Sequence, residues 1–151
     1  MHRRNILATA FAAVGALVGA GTRSTRAETG EPTKDAGKVV YHLSDLEKVS
    51  FVLGNIEHHL AGVGGPEKVT IALVVHGPAL RAFHSAGASQ DTARRVAGFV
   101  KSNVSFNACS HTMRGQNVTL KDLLPGFTVA ERGGVVLVAE LQAQGYVYLR
   151  P

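Results

Sequence analysis

The most informative segment for the fold is Val69-Thr70-Ile71-Ala72-Leu73-Val74-Val75-His76-Gly77-Pro78. Its first seven residues are almost continuously apolar and β-branched, a pattern typical of a strand buried on both faces of a parallel sheet. Pro78 follows this run after only two residues, and proline is common in the first turn of a helix. The segment therefore predicts a buried strand that leads directly into a helix.

The same alternation extends to both sides of this segment. An apolar stripe at helical spacing, from Leu46 to Leu60, follows a first strand, with Ser44 or Asp45 as its cap. Between positions 135 and 143 the valines favour a strand, but we interpret the segment as a helix, because parallel strands need a crossover. The predicted strands are 39–43, 69–75, 104–108, 127–130 and 146–149; the helices are 46–60, 91–101, 119–124 and 135–143.

Five strands alternating with helices predict an α/β fold, a three-layer doubly wound sandwich with a five-stranded, mainly parallel sheet. In the helix 91–101 we expect Ala93, Val96, Ala97 and Val100 to face inward. We also expect a flavodoxin-like strand order, in which the first and third strands flank the ligand-binding crevice.

The first 27 residues have the features of an export signal. Arg3-Arg4 followed by Asn5-Ile6-Leu7 resembles the twin-arginine motif, an uncharged stretch follows, and Thr25-Arg26-Ala27 predicts cleavage near Ala27. Residues 28–37 have the composition of a flexible linker, and 38–151 form the predicted domain. We expect a periplasmic protein that has no membrane segment after cleavage, although an uncleaved anchor is the alternative.

The charge of the chain is concentrated in this leader. Four of the 16 basic residues lie in the first 27 positions, which hold no Asp or Glu, so 12 basic residues face 11 acidic ones in the remainder. A domain this close to neutral lacks the basic surface that nucleic-acid binding requires. We expect no nucleic-acid partner.

Cys109 is the only cysteine of the chain and the principal candidate for chemistry. It follows the third predicted strand and precedes Thr112, a candidate cap of a helical turn, so the amides at a helix start can lower the pKa of its thiol. His111 is a candidate proton acceptor for the thiol. A buried filler and a partner for another chain are the alternatives to a reactive thiol.

His42 and His76-Gly77 end the first two strands, at the edge of the sheet where ligands bind. The amides near Gly77 are candidates for holding a small anion. The histidines with Cys109 are the residue types that bind zinc or copper, but no metal-binding spacing supports such a site, so we predict no metal and no cofactor. No serine elbow or carboxylate pair supports hydrolase chemistry.

Several segments together resemble the DsrE/DsrF-like proteins. The resemblance spans residues 38–151 and implies a compact α/β domain, usually in homotrimers or related oligomers. It also implies sulfur trafficking, in which Cys109 carries sulfane sulfur as a persulfide between donor and acceptor proteins, with His111, His42 and His76 assisting. The segments are Lys38-Val39-Val40-Tyr41-His42-Leu43-Ser44-Asp45, Leu53-Gly54-Asn55-Ile56, Val74-Val75-His76-Gly77-Pro78-Ala79-Leu80 and the closing Leu141-Gln142-Ala143-Gln144-Gly145-Tyr146-Val147-Tyr148-Leu149-Arg150-Pro151.

Three functions are therefore open. The first is an exported sulfur carrier or transferase, and the second is a non-enzymatic module that binds a small anion or metal at a His-lined crevice between subunits. The third is a structural oligomer in which Cys109 is inert.

Overall fold

A computed structural model describes residues 37–151. The predicted leader, 1–27, and nearly all of the predicted linker lie outside these residues. Five parallel strands form one sheet: β1 Gly37–Leu43, β2 Val69–Val75, β3 Ser105–Cys109, β4 Phe127–Ala130 and β5 Val147–Leu149. The helices are α1 Val49–Gly62, α2 Gln90–Lys101, α3 Ser110–Gly115 and α4 Gly134–Ala143, with 3-10 helices at Leu46–Lys48, Pro66–Lys68, Gly77–Phe83 and Leu120–Asp122.

The strand order is β4-β3-β2-β1-β5, so the expected flavodoxin-like order is wrong. The first three crossovers move the chain one strand at a time in the same direction, and the last returns it to the free edge of β1. Consequently β2 lies between β1 and β3. Alternation of strands and helices predicts the number of crossovers but not the direction of each one.

Helices cover both faces of the sheet, as the doubly wound prediction requires. The larger core lies on the α1 and α2 face and includes Leu53, Ile56, Leu73 and Phe106. Side chains of β1 and β2 that point to the other face form a smaller core with Val138 of α4. The α/β class of the prediction is confirmed.

The buried face of α2 differs from the prediction. Thr92, Val96 and Phe99 face the core, whereas Ala97 and Val100 are exposed. Phe99 is the largest apolar side chain of this helix, and it packs against the ring of Phe106 at a centroid distance of 6.5 Å. Burying that ring sets the rotation of the helix, because an aromatic side chain removes more apolar area from water than an alanine.

The ambiguous segment is a helix, as predicted. α4 is apolar around most of its circumference, because Val138 is buried while Val135 is 64% exposed and Val136 is also exposed. One helix thus carries apolar side chains both toward the sheet and toward solvent. Within residues 37–151 no helix is long and apolar enough to cross a membrane.

Candidate functional site

The candidate residues lie along the carboxyl edge of the sheet. His42 is in β1, His76 follows β2, and Cys109 ends β3, so the strand order places His76 between the other two. Side chains alternate between the faces of a strand, and the paired registers put His42 and Cys109 on the face covered by α4. The expectation that Cys109 and His42 flank one crevice between neighbouring strands is therefore wrong.

Cys109 is both the last residue of β3 and the N-cap of α3. The predicted cap, Thr112, is instead the third residue of that helix. At an N-cap the side chain lies beside the amides of the second and third helical residues, which here are His111 and Thr112. Sulfur thus occupies the position where an oxygen is usual.

Two opposing effects act on the pKa of the Cys109 thiol. Burial raises this pKa, while hydrogen bonding from the Gly134 amide, from the amide and hydroxyl of Thr112 and from the His111 amide lowers it. The donors prevail, and the pKa lies below that of an ordinary cysteine. These amides belong to the starts of α3 and α4, where the helix dipole also favours a negative charge.

Gly133-Gly134, which is not among the predicted site residues, brings the start of α4 to the cysteine. Gly133 has a φ of +98°, and a β-carbon there would stand 2.8 Å from Cδ2 of His111. A β-carbon on Gly134 would lie 3.3 Å from Cβ of Cys109. A glycine pair that follows a strand and opens a helix is the signal that marks this site, since that is where backbone amides meet an anion.

The Nδ1 atom of the His111 ring is occupied by a hydrogen bond from Arg114. Arg114 Nη2 lies 2.5 Å from Nδ1 of His111. A guanidinium only donates, so Nδ1 accepts and the proton of a neutral ring resides on Nε2. Among the described residues the ring makes no hydrogen bond to the thiol, and the part of His111 that lowers the thiol pKa is its backbone amide.

Gly77 does not offer a free amide to a ligand. Its N–H donates to Oγ1 of Thr112 at 2.9 Å, and its carbonyl accepts from Nε2 of Gln116 at 2.9 Å. The prediction that the Gly77 amide helps to hold an anion is thus not supported by its hydrogen bonding. Both contacts instead join the loop after β2 to α3.

His42 and His76 form a stacked pair beside the cysteine. Their Nε2 atoms are 2.5 Å apart, and Nδ1 of His42 is hydrogen-bonded to the Tyr148 hydroxyl at 2.8 Å. Burial, the charge of His76 and the Arg150 guanidinium lower the pKa of His42 to about 4, although Asp45 opposes them. Burial and Arg150 also lower the pKa of His76. Both rings are therefore neutral at pH 7.

The donor set for a metal is incomplete in the described part of the chain. There, no group of three or more His, Cys, Asp or Glu side chains is arranged to hold a metal ion. His58 and His59 lie on α1, and Nδ1 of His59 is hydrogen-bonded to the Tyr41 hydroxyl at 2.9 Å.

No protein-family model and no curated protein matches the chain. Among solved structures, the chain is similar to a protein of unknown function from Methanobacterium thermoautotrophicum. The two are 26% identical, the TM-score is 0.67, and the match covers 76% of this chain and 99% of the archaeal one. The likeness supports the α/β fold.

Proposed function

We propose that the protein is a sulfur carrier or transferase in which Cys109 holds sulfane sulfur as a persulfide. The observation that carries the proposal is the setting of the thiol, at the N-cap of α3 and against the first amide of α4. A thiolate is the nucleophile in sulfur exchange, and these donors stabilise the thiolate over the thiol.

The exchange balances without an oxidant. The Cys109 thiolate attacks the outer sulfur of a donor persulfide, R–S–SH; a new bond from Sγ to that sulfur forms and the donor S–S bond breaks. The electron pair leaves with the donor as RS⁻, and Cys109 becomes Cys–S–SH. An acceptor thiolate then attacks the outer sulfur in the same way and regenerates the Cys109 thiolate.

The test is an intact mass under non-reducing conditions, before and after exposure to a persulfide or polysulfide donor. We expect a gain of one sulfur atom that a reductant reverses and that Cys109→Ser abolishes while the fold is retained. Loading that persists in Cys109→Ser would overturn the proposal. So would a folded wild-type protein whose thiol titrates only after denaturation, since that describes an inert filler.

The leader and the apolar face of α4 extend the proposal. The twin-arginine-like residues Arg3-Arg4 support export to the periplasm, where the donor and acceptor proteins would then be found.

Val135 and Val136 expose apolar surface on α4, which supports assembly into a homo-oligomer through this face. A protease-protection assay on spheroplasts and light scattering of the mature protein test these two statements.

The second candidate is a module that binds a small anion. The neutral pair His42–His76 lies close enough to Arg150 for its charge to lower both imidazole pKa values, and Nη2 of Arg150 is 3.1 Å from Oγ of Ser44. Calorimetric titration with sulfate and thiosulfate distinguishes this function, because Arg150→Gln would abolish binding while Cys109→Ser would leave it unchanged. Absence of binding by the wild-type protein would exclude this candidate.

A further inference from the structure

A groove between α1 and α2 lies on the face of the sheet opposite to Cys109. Its volume is about 420 Å³, within the range of about 300–1,000 Å³ that small-molecule sites occupy. One part of the lining is apolar, formed by Leu60 and Phe99, and another part is cationic, formed by Arg94 and Arg95. The groove therefore combines apolar surface with charged donors, and it shares no residue with the site described above.

Gly98 keeps space open in this groove. It stands inside α2, where glycine is a poorer helix former than alanine. Its φ is not positive, and nothing lies within 4 Å of a β-carbon built there. Neither the backbone nor the packing of the described residues therefore requires a glycine at this position. A ligand in the groove accounts for it, because any side chain at position 98 would take up part of the space.

The guanidinium of Arg95 reaches from α2 to α1. Its Nε lies 3.0 Å from Oδ2 of Asp91, and its Nη1 lies 3.8 Å from the place of a β-carbon on Gly54. Nη1 is 3.5 Å from the carbonyl oxygen of Ser50, which is longer than an ordinary N–H···O bond. The absence of a side chain at Gly54 thus gives room for the guanidinium, while the hydrogen bond that it makes to α1 is weak.

Arg94 adds a second guanidinium to the groove. Asp91 also bonds to Nη2 of Arg94, so one carboxylate holds both cations. A guanidinium has five N–H donors, and among residues 37–151 Nη1 of Arg94 and Nη2 of Arg95 have no hydrogen-bond partner. Glu57 is the one acid among the lining residues, so the two arginines give the lining an excess of positive charge.

We propose that this groove binds a small organic carboxylate, whose oxygens accept hydrogen bonds from Arg94 and Arg95. The planar guanidinium group matches the two oxygens of a carboxylate. The hydrocarbon part of the ligand lies against Leu60 and Phe99, which removes apolar surface from water. Glu57 disfavours a dianion, because like charges repel. This site is independent of sulfur transfer, since Cys109 lies on the other face of the sheet.

Benzoate and hexanoate are the probes, and benzamide is the neutral match of benzoate. Titration of the protein should give saturable shifts of the amide resonances of Gly98, Phe99 and Ser102 with both carboxylates, and none with benzamide. Equal shifts with benzamide would overturn the proposal, because the groove would then not select an anion. Absence of saturable shifts with both carboxylates would also overturn it.

Arg94→Gln tests the role of the guanidinium groups. The side chain of Arg94 is 75% exposed, so the variant should fold. We expect its affinity for benzoate to fall about tenfold, the effect of losing one hydrogen bond to a charged group. Arg81→Gln is the control, because Arg81 is exposed and does not line the groove. An affinity of Arg94→Gln equal to that of the wild type would overturn the proposal.

Gly98→Leu tests the location of the site. Its β-carbon meets no neighbour, so the fold should be retained, while the leucine side chain fills the groove and should abolish benzoate binding. Gly62→Leu is the matched control, since this glycine of α1 is exposed, has nothing within 4 Å of a β-carbon and lies outside the groove. Undiminished binding by Gly98→Leu would overturn the proposal. Cys109→Ser should bind benzoate like the wild type, so failure of sulfur loading leaves this site untouched.

Discussion

Gly134 lets the first turn of α4 close directly onto Cys109: a β-carbon at position 134 would stand 3.3 Å from the β-carbon of the cysteine. The same β-carbon would be 3.3 Å from Cγ1 of Val74 and 3.5 Å from Cβ of His76. Because residue 134 has no side chain, the first amide of α4 lies close to both the Cys109 thiol and the end of β2, where His76 stands.

Gly134→Ala should lower the free energy of unfolding by about 1 kcal/mol, because the added methyl overpacks a filled site. It should also raise the thiol pKa by pushing the amide away from the sulfur. Urea unfolding and the pH profile of alkylation measure the two effects. Gly98→Ala is the control: nothing lies within 4 Å of a β-carbon there, and alanine in a helix should stabilise by about 0.5–1 kcal/mol. Equal stability of the two variants would contradict the packing argument.

Ionisation of Cys109 should couple to stability. The pKa of the thiol is lower in the folded protein than in an ordinary cysteine. The thiolate therefore contributes stability that is fully present above the unfolded pKa, about 8.5, and is lost as the pH falls through the folded value. We expect the urea midpoint of the wild type to rise relative to that of Cys109→Ser as the pH is raised from 6 to 9. A difference that is independent of pH would show that the thiolate is not stabilised by folding.

The pKa of His42, about 4, should respond to its charged neighbours in opposite directions. Arg150→Gln removes a cation and should raise the midpoint of the His42 ring resonances. Asp45→Asn removes an anion and should lower that midpoint. NMR titration gives the midpoint pH of the His42 ring resonances in both variants and in the wild type. Midpoints that move in the same direction in the two variants would contradict the electrostatic assignment.

The same depressed pKa has a consequence for acid stability. Because the unfolded chain binds a proton at His42 near pH 6.5 and the folded chain only near pH 4, stability should fall as the pH drops between these values. Replacement by a residue that does not titrate, His42→Gln, should reduce that slope. Urea unfolding at pH 4, 5, 6 and 7 measures it, and an identical slope in both proteins would contradict the prediction.

The proposed assembly through α4 predicts that Val135→Glu lowers the mass of the protein in solution, because a carboxylate buried in an apolar interface would lose its hydration without gaining a partner. Light scattering over a range of concentrations gives the mass. Ala97→Glu is the control, since position 97 is an exposed site on α2. A wild type that is monomeric throughout, or an equal loss of mass in the control, would refute assembly through α4.

Most of the elements were predictable from short-range patterns. β2 and β4 have the predicted bounds, and α4 is a helix despite its valines. The errors lie where competing apolar residues sit on one element, as in α2, where Phe99 displaces Val100 from the core. Periodicity identifies a helix, but which of several apolar residues faces inward depends on the surface it packs against.

The sequence indicated which edge of the sheet holds the candidate residues, but not how they are arranged there. Position at or just after the end of a strand identified His42, His76 and Cys109, because parallel strands end at one edge. The sequence did not show that the Gly77 amide is already hydrogen-bonded, because its partner Thr112 stands 35 residues later in the chain. Thr112 was considered only as a cap, and Gly133-Gly134 was missed although its place between a strand and a helix is visible in the sequence.

Local residue patterns are thus sufficient for the α/β class, the five strands and the edge at which Cys109 stands. These features follow from the conformational propensity of each residue and from the spacing of apolar residues, both of which act within a few positions of the chain. The strand order, the closure of α4 over the thiol and the hydrogen bond from Gly77 to Thr112 depend on groups distant in sequence. Those features emerge only when the chain packs, because hydrogen-bond donors and acceptors find their partners in space and not along the sequence.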